Sequence, residues 1–331
     1  MTKRILIYNS GGGLGDAIQL FPVILSLQNH FKNSTFYYLG AHTNHYSNKL
    51  KEYNVHLKTL ELNLKYFGFR WWHLLGVKRR IKQLNLEKFD LIIDTQSKLR
   101  NTLILKQIPS KSFFSKTFNY RFSTDKNFNK KFKNSTKFLN STIPIVRDLR
   151  FFLNNNFEEI SYPMNMIDQK YHKEALKLLP DKNYIGFSLT QGNAYREKSW
   201  PLENFIQLAK KIIDLNKKPV FFVEKSETDL IKKIKNDLPQ AIFPELMSEI
   251  SCPALVTTLA SRLENLVTID NGIMHMVNLA NIPMITLFGP TKAEKFSPIR
   301  KNVITLSSKK MYGTKKIFKI TVFDVFKELN F

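Results

Sequence analysis

The sequence predicts an α/β protein made of two doubly wound domains, each with a parallel sheet covered by helices on both faces. Seven short apolar runs bounded by turn residues recur along the 331 residues, as is typical of buried parallel strands. Amphipathic segments such as residues 202–216 alternate with these runs and are typical of helices that pack on a sheet. The length of the chain allows two cores of ordinary size.

Three predicted strands lie in the first half of the chain and four in the second. In order they are RILIYNS, TFYYLG and FDLIIDT, then YIGFSLT, KPVFFVEK, NLVTIDN and PMITLFG. The polar stretch at 154–170 is the best candidate for a linker, and a helix predicted from residue 169 opens the second half. We therefore predict domains at residues 1–163 and 164–331. Ligands of open α/β sheets bind beyond the carboxyl ends of the strands, so the loops that follow strands are the candidate sites.

Composition and charge limit the class of protein. No run of 18 apolar residues occurs and the first residues do not form a signal peptide, so we expect a cytoplasmic protein. The single cysteine, Cys252, excludes an intramolecular disulfide and a cysteine-rich metal site. The formal charge of +24 favours an anionic partner. The chain is also rich in Asn, Ile, Phe and Lys together, so a compositional origin of this charge stays open.

The first candidate loop, residues 9–22, is rich in glycine and follows the opening strand. A G-x-G-x-x-G pattern started at Gly11 fails at Asp16, and no Gly-Lys-Ser/Thr follows, so neither the dinucleotide nor the P-loop fingerprint is present. What remains is a flexible run that lets the backbone approach a ligand and that ends in Asp16 at a helix start. Asp16 is either a helix cap worth about 1 kcal/mol or a catalytic carboxylate, and the two roles are compatible.

Three further loops follow strands of the second half. Gly192 and Asn193 offer hydrogen-bond donors in the loop at 190–205, and Lys198 follows them. The run Asp270 to Gly272 ends a strand, with His275 one turn into a helix, and Gly289-Pro290-Thr291 ends the next strand. The N-terminus of a helix suits an anion such as phosphate. Taken singly, each feature also fits a surface lysine, a core or cap histidine, or an ordinary turn.

Taken in order, these motifs resemble those of the ADP-heptose glycosyltransferases, the heptosyltransferases of lipopolysaccharide core assembly. The motifs are Gly-Asp at 15–16 with a proline six residues later, Lys-x-Trp-Pro at 198–201, Asp-x-Gly-x-x-His at 270–275 and Phe-Gly-Pro-Thr at 288–291. The segment FDLIIDTQSKLRNTLIL is similar to the family's first-domain segment of Asp-x-Gln type. The resemblance spans residues 4 to about 298, and the last two of the four motifs are the specific ones.

The resemblance implies the GT-B architecture, in which two Rossmann-like domains face a central cleft. The N-terminal domain would bind the acceptor and carry the catalytic base, and the C-terminal domain would bind the nucleotide sugar. The family is inverting and needs neither metal nor cofactor, and the sequence agrees because it has no Asp-x-Asp motif. Helix N-termini and a lysine would then stabilise the leaving diphosphate.

The resemblance also assigns roles to residues. Asp16 would be the base that deprotonates the attacking hydroxyl. The donor would be held by Gly192, Asn193, Lys198, Glu227, Asp270, Asn271, Gly272, His275, Gly289, Pro290 and Thr291. Gly12, Gly13, Gly15, Gln96, Lys98 and Arg100 would lie on the acceptor side. The sequence departs from the family pattern at two positions: Asn271 stands where Ser or Thr is common, and Ala194 stands where a hydroxyl residue is expected. These departures leave the identity of the sugar and of the nucleotide open.

The excess charge has a candidate use in the first domain. Residues 66–84 and 111–137 interleave aromatic side chains with Lys and Arg, as is typical of proteins at an anionic membrane surface. An acceptor on the lipid A inner core carries carboxylates and phosphates, so we expect an anionic glycolipid partner and a peripheral location on the cytoplasmic face of the inner membrane. The alternative is that the aromatics lie in the core and the lysines in water.

Three other functions stay open. The chain could use a different nucleotide sugar, or it could be an epimerase of the same fold that needs no acceptor. The charge alone would also fit a nucleic-acid-binding protein. No nucleic-acid-binding motif is recognisable and the basic residues are spread along the chain, so we expect no nucleic-acid partner.

Overall fold

The structure is a computed structural model that describes residues 2–124, 143–153, 157–191 and 197–329. The chain divides into two compact units, Met1–Tyr162 and Pro163–Phe331. The boundary therefore falls one residue before the one placed from the sequence.

The first unit contains a five-stranded parallel sheet with the strand order β3-β2-β1-β4-β5. Its strands are β1 (Lys3–Asn9), β2 (Ser34–Gly40), β3 (Lys58–Thr59), β4 (Phe89–Asp94) and β5 (Ser110–Ser115). Its described α-helices are α1 (Leu14–Ile18), α2 (Phe21–His30), α3 (His73–Gln83), α4 (Leu99–Leu105) and α5 (Pro144–Phe152). Within its described residues, two 3-10 helices cover His45–Ser47 and Lys51–Tyr53.

The second unit contains another five-stranded parallel sheet, with the order β10-β9-β8-β6-β7. Its strands are β6 (Tyr184–Ser188), β7 (Lys218–Phe222), β8 (Leu263–Ile269), β9 (Met284–Phe288) and β10 (Val303–Ser307). Its described α-helices are α6 (Gln169–Leu178), α7 (Leu202–Ile213), α8 (Thr228–Asp237), α9 (Pro244–Met247), α10 (Pro253–Ala260), α11 (Gly272–Leu279), α12 (Ala293–Phe296), α13 (Ser308–Tyr312) and α14 (Val322–Phe326). In the part of this unit that the structure describes, two 3-10 helices cover Met164–Met166 and Ile317–Lys319.

The predicted fold class of two doubly wound α/β domains is confirmed. In each sheet, successive strands are first added toward one edge, and the later strands are then added toward the opposite edge. The strand order therefore reverses between β1 and β4 in the first unit and between β6 and β8 in the second. Ligands of such sheets bind outside the carboxyl ends of the strands at this switch point. The glycine-rich loop follows β1, and the motif Asp-x-Gly-x-x-His follows β8, so both predicted loops lie at switch points.

All seven predicted strands are present, and most of their residues are buried. Every residue of β6 and β9 is buried, for example. Three strands escaped prediction. β3 is two exposed residues at an edge, and β10 is an edge strand that is only partly buried. β5, except for Ser110, lies in the segment 111–137 that mixes aromatic and basic residues.

For β5 the structure decides between the two interpretations that the sequence left open. Phe113 and Phe114 are buried in the core of the first unit, because they lie on a strand that pairs with β4. For these two residues the alternative, aromatics in the core, is the correct one. The remainder of the predicted surface segment beyond residue 124 lies outside the described residues.

Candidate functional site

The glycine-rich loop after β1 presents Asp16 at the start of a short helix. Gly13 is the N-cap of α1, and Asp16 lies in its first turn with an exposed side chain, while Gly15 is buried in the helix. The Asp16 carboxylate accepts a hydrogen bond from the Gly13 N–H at 3.3 Å. Asp16 therefore stabilises the helix start from the third helical position rather than from the N-cap itself, and its carboxylate stays accessible to solvent.

Two glycines of this loop are closely packed against other side chains. A methyl group at Gly11 would lie 2.6 Å from Cβ of Asp16, and one at Gly12 would lie 2.7 Å from Cδ2 of His42. Nε2 of His45 donates to the Gly12 carbonyl oxygen at 3.0 Å. Sequence reasoning missed both histidines. They follow the carboxyl end of β2, which is the signal that could have identified them.

Gln96, predicted on the acceptor side, forms hydrogen bonds with the glycine-rich loop. Its Nε2 donates to Oδ1 of Asn9 at 2.6 Å, and its Oε1 accepts from the Ser10 hydroxyl at 3.0 Å. The same Asn9 oxygen accepts from the N–H of Gly11 at 2.9 Å. Gln96 thus ties the loop after β4 to the loop after β1 and fixes the backbone that leads to Asp16.

A buried carboxylate holds Gln96 in place. Asp94 ends β4 and accepts from the Gln96 N–H at 3.0 Å and from the hydroxyls of Thr102 and Ser115 at 2.6 and 2.8 Å. Burial raises the pKa of Asp94, although these hydrogen bonds oppose the rise. The carboxyl group is therefore part of the scaffold under the loop.

The other two predicted acceptor-side residues have different surroundings. Lys98 is the exposed N-cap residue of α4. Arg100 is half-buried, donates through Nε to the Gly68 carbonyl at 2.7 Å and lies 5.9 Å from the ring of Phe69. Arg100 therefore supports the loop that precedes α3.

In the second unit, the loops after β6 and β8 meet in an ion pair. Nζ of Lys198 lies 2.6 Å from Oδ2 of Asp270 and also donates to the Asp270 carbonyl oxygen at 3.2 Å. The two side chains are only 15% and 8% exposed. The parallel pairing of β6 with β8 brings these loops together, so the positive charge is held where anionic ligands bind such sheets.

The Lys-x-Trp-Pro motif fixes the position of this lysine. Trp200 is 2% exposed, and its indole N–H donates to the Ile320 carbonyl at 2.8 Å. The N–H of Lys198 donates to Oε1 of Gln191 at 2.7 Å. The chain is thus anchored on both sides of the lysine, and Pro201 is the N-cap residue of α7.

Asn271, one of the two departures from the family pattern, forms hydrogen bonds within the second unit. The other departure, Ala194, lies outside the described residues. Oδ1 of Asn271 accepts from the Met274 N–H at 3.0 Å and so caps α11, while its Nδ2 donates to the Ser188 hydroxyl at 2.7 Å and to the Thr190 carbonyl at 3.0 Å. A serine or threonine can make the cap but cannot reach with an amide as well. Gly272 begins α11, and His275 is buried one turn later.

The Gly-Pro-Thr turn closes β9, the neighbour of β8. A methyl group at Gly289 would lie 2.7 Å from Cβ of Ile317 and 2.9 Å from the Lys315 carbonyl oxygen, so the close approach of that segment requires glycine. After Pro290, the hydroxyl oxygen of Thr291 is buried and has no hydrogen-bond partner among the described residues. A buried hydroxyl of this kind is a candidate for a ligand contact.

Acidic residues follow β7, and Glu227, which was predicted on the donor side, is one of them. Glu227 is exposed at the N-cap of α8, and its N–H donates to the Glu224 carbonyl at 3.0 Å. Sequence reasoning missed Glu245 on α9, which is half-buried. Burial, together with the charge of Glu224, raises the pKa of Glu245 to about 7 against the opposing effect of Lys225. No sequence pattern identifies Glu245, because the shift arises from its surroundings.

The structure therefore joins Lys198, Asp270 and Asn271 in one hydrogen-bonded set of loops at the carboxyl edge of the second sheet. Gly192 and Asn193 lie outside the described residues. Within the described ranges, no group of three or more His, Cys, Asp or Glu side chains is placed to hold a metal ion.

A family model decides the assignment. The model of glycosyltransferase family 9 (heptosyltransferase) matches residues 77–324, about three quarters of the chain. This chain belongs to glycosyltransferase family 9. The predicted family is thus confirmed, and the chain is a glycosyltransferase of the heptosyltransferase family. The matched stretch includes Lys198, Asp270 and Gly289, whereas the glycine-rich loop with Asp16 lies before it.

Curated relatives agree with the family. The chain is 24% identical over 302 residues to a lipooligosaccharide heptosyltransferase 2 of Campylobacter jejuni. The aligned region covers 86% of this chain and 81% of that protein. The corresponding protein of a second Campylobacter jejuni strain is 23% identical over 292 residues.

Solved structures show the same fold at low identity. A glycosyltransferase family 9 protein of Veillonella parvula is similar with a TM-score of 0.65 at 19% identity, covering 98% of this chain and 96% of that one. The E. coli heptosyltransferase WaaC with ADP-2-deoxy-2-fluoro heptose has a TM-score of 0.63 at 15% identity, with 98% of each chain covered. A UDP-GlcNAc 2-epimerase of Methanocaldococcus jannaschii has a TM-score of 0.52. The GT-B class is therefore confirmed, and the fold by itself is common to transferases and epimerases.

The described part of the chain contains no helix with the length and apolarity needed to cross a bilayer.

Proposed function

We propose that this chain transfers a heptose, with inversion at the anomeric carbon, from ADP-heptose to an anionic acceptor of the lipopolysaccharide inner core. Family membership supports heptosyl transfer in general. Solved relatives of the same fold bear ADP and an ADP-heptose analogue, which supports ADP as the nucleotide. We place the reaction on the cytoplasmic face of the inner membrane, where an acceptor attached to a lipid is accessible to such a protein.

The observation that carries the donor site is the ion pair between Lys198 and Asp270. A diphosphate carries more negative charge than one carboxylate, so it competes with Asp270 for the lysine ammonium. The first turn of α11 begins two residues after Asp270 and adds N–H donors with the positive end of the helix dipole. This arrangement neutralises a leaving diphosphate with protein groups alone, and we propose that the reaction is independent of metal.

The acceptor side of the proposal rests on Asp16. Direct displacement with inversion needs a base that takes the proton of the attacking hydroxyl as the new bond to the anomeric carbon forms and the bond to the diphosphate breaks. Asp16 offers an exposed carboxylate on a loop whose backbone is fixed by Gln96 and Asn9. The packing of Asp16 against Gly11 restricts its orientation further, as a positioned base requires.

The donor is tested by a thermal-shift comparison of ADP, UDP, GDP and CMP. Stabilisation by ADP above the others supports the proposed donor, and equal stabilisation by all four contradicts it. The enzyme is expected to keep its transferase activity in EDTA. If EDTA abolishes the activity and added magnesium restores it, the reaction depends on metal. Product analysis by NMR gives the anomeric configuration. Incubation with sugar nucleotide alone separates transfer from epimerisation, since an epimerase would convert the donor without acceptor.

Two variants separate the two roles, each with a matched control. Asp16→Asn is expected to keep ADP binding and lose most turnover, whereas Asp229→Asn, an exposed acid in the first turn of α8, keeps both. Lys198→Ala is expected to weaken ADP binding, whereas Lys217→Ala, which removes another lysine ion-paired at 2.6 Å, does not. Near-normal turnover in Asp16→Asn would remove the proposed base.

A further inference from the structure

Part of the first unit exposes a group of large apolar side chains. Trp71, Trp72 and Leu75 are 51%, 65% and 74% exposed. Tyr66 and Phe69 beside them are also exposed. Soluble monomers seldom expose so many large apolar groups together unless the surface binds something. We call this surface, together with the three exposed basic residues of α3, the aromatic–basic face. Its residues are Tyr66, Phe69, Trp71, Trp72, Leu75, Lys78, Arg79 and Lys82.

The loop that carries these side chains is held from its inner side. Phe67 is buried, and its carbonyl accepts from the Tyr8 hydroxyl at 3.2 Å. The Gly68 carbonyl accepts from Arg100 at 2.7 Å, and its N–H donates to Nδ1 of His73 at 3.2 Å. Gly68 has a φ of +86°, which favours glycine. Because the polar groups of the loop are bonded inward, the neighbouring aromatic side chains face outward.

The segment that carries this surface has side-chain charges of one sign. Residues 62–86 contain six lysines and arginines and no aspartate or glutamate. Along α3, His73 and Val77 face the core, while Leu75 and then Lys78, Arg79 and Lys82 are exposed. The helix is therefore apolar outward at its first turn and basic outward at its later turns. Aromatic rings next to cations suit the boundary between headgroups and acyl chains of an anionic bilayer.

The same surface borders the loop of Asp16. The ring of His42 lies against Gly12, and its centroid is 6.0 Å from that of Tyr66 and 6.4 Å from that of Phe69. One histidine thus contacts both the glycine-rich loop and the aromatic–basic face.

We infer that the aromatic–basic face docks on an anionic lipid bilayer, with Trp71, Trp72 and Leu75 at the level of the headgroups and the cations of α3 against lipid phosphates. Docking there places the glycine-rich loop beside the surface from which a lipid-linked acceptor projects. This last step rests on the proposed function, whereas the docking itself does not.

Docking is tested with vesicles of phosphatidylcholine alone and of phosphatidylcholine mixed with phosphatidylglycerol. The wild type is expected to float with the mixed vesicles only, and its tryptophan emission is expected to shift to the blue. Trp71→Ser/Trp72→Ser is expected to bind the mixed vesicles at least about tenfold more weakly. Phe323→Ser, at an aromatic residue 71% exposed in the second unit, is the matched control and should bind as the wild type does.

The charge requirement is tested by Lys78→Glu/Arg79→Glu, which is expected to abolish the preference for anionic vesicles. Lys232→Glu, at an exposed lysine of α8, is the control. Circular dichroism and thermal melts check that all variants fold. Vesicle binding that is unchanged in both face variants, or lost equally in both controls, overturns the inference. A shift from dimer to monomer in the tryptophan variant, with vesicle binding intact, would assign the face to a second copy of the chain instead.

An activity measurement separates this inference from the proposed function. Deacylated inner-core lipopolysaccharide and the same core embedded in vesicles are compared as acceptors. The tryptophan variant should retain transfer to the deacylated acceptor and lose most transfer to the embedded one. A wild type that binds anionic vesicles but transfers heptose to neither acceptor contradicts the proposed function and leaves docking standing.

Discussion

The ion pair of Lys198 and Asp270 gives a prediction that does not depend on the substrate. We consider Lys198→Met, Asp270→Asn and the double variant. The methionine keeps an unbranched side chain, one heavy atom shorter than that of lysine, and removes its charge, and the asparagine keeps the shape of the aspartate. Because the Asp270 side chain is 8% exposed, removing the lysine leaves a nearly buried carboxylate without its cation.

The size of the effect follows from the geometry. At 2.6 Å and an effective dielectric constant of about 20, the attraction between the two charges is about 6 kcal/mol, and lost hydration of both ions offsets most of it. Breaking the pair from one side is expected to cost about 3 kcal/mol of unfolding free energy. In a domain of this size that lowers Tm by about 9 °C. The double variant should lower the free energy of unfolding by much less than the sum of the two single variants, which corresponds to a coupling energy of about 2 kcal/mol.

The measurement is urea unfolding followed by the fluorescence of Trp200. The chain has three tryptophans, so a background with Trp71→Phe and Trp72→Phe leaves Trp200, buried in the second unit, as the reporter of that unit. All variants are compared at the same pH and at two salt concentrations, since a buried pair is screened by salt less than an exposed one.

The control is the ion pair between Lys217 and Glu264 in the same unit. Its charges are also 2.6 Å apart, but the side chains are 20% and 37% exposed, so its coupling energy should stay below about 1 kcal/mol. Burial is the reason for the difference. If the coupling of Lys198 with Asp270 is no larger than that of the control pair, the reasoning is refuted.

Three further predictions follow from single residues. The raised pKa of Glu245 means that the folded state holds the proton more tightly than the unfolded state, so the free energy of unfolding falls as pH rises from about 4.5 to about 7. Glu245→Gln should remove this fall and be more stable than the wild type at pH 8 by up to about 3 kcal/mol. Urea titrations should show equal stability of the two proteins at pH 4. Gly289→Ala should lower the free energy of unfolding by about 1–3 kcal/mol, because the added methyl group would clash with Ile317. An unchanged Tm would show that the segment of Ile317 can move away from the methyl group. Asn271→Ser should lower the free energy of unfolding by about 1 kcal/mol, because the hydrogen bonds of its side-chain amide to Ser188 and Thr190 are lost. The variant should keep the nucleotide preference of the wild type. A changed preference in the thermal-shift panel would show that Asn271 contacts the donor.

The apolar runs of the sequence were sufficient to predict the fold class. A parallel strand covered on both faces must be apolar along its length, so strands such as β6 and β9 are recognisable without any partner. The short strand β3 was not recognisable, because its two exposed residues are held by pairing with Tyr37 and Tyr38 of β2 and not by a pattern of their own.

The candidate site was predictable as a set of loops but not as a set of contacts. Lys198 and Asp270 each follow a strand, and this position made both of them candidates. Their ion pair joins residues 72 positions apart, and only the pairing of β6 with β8 brings them together. His42 and Glu245 carry no motif, so their proximity to Gly12 and to Glu224 depended on the folded chain.

The two segments that mix aromatic and basic residues show where the sequence reaches its limit. Composition by itself determined that both segments combine large rings with positive charge. The tertiary structure decided that Phe113 and Phe114 lie in the core and that Trp71 and Trp72 remain exposed. The physical reason is that burial depends on what the rest of the chain places opposite a side chain, and a local stretch of sequence does not contain that information.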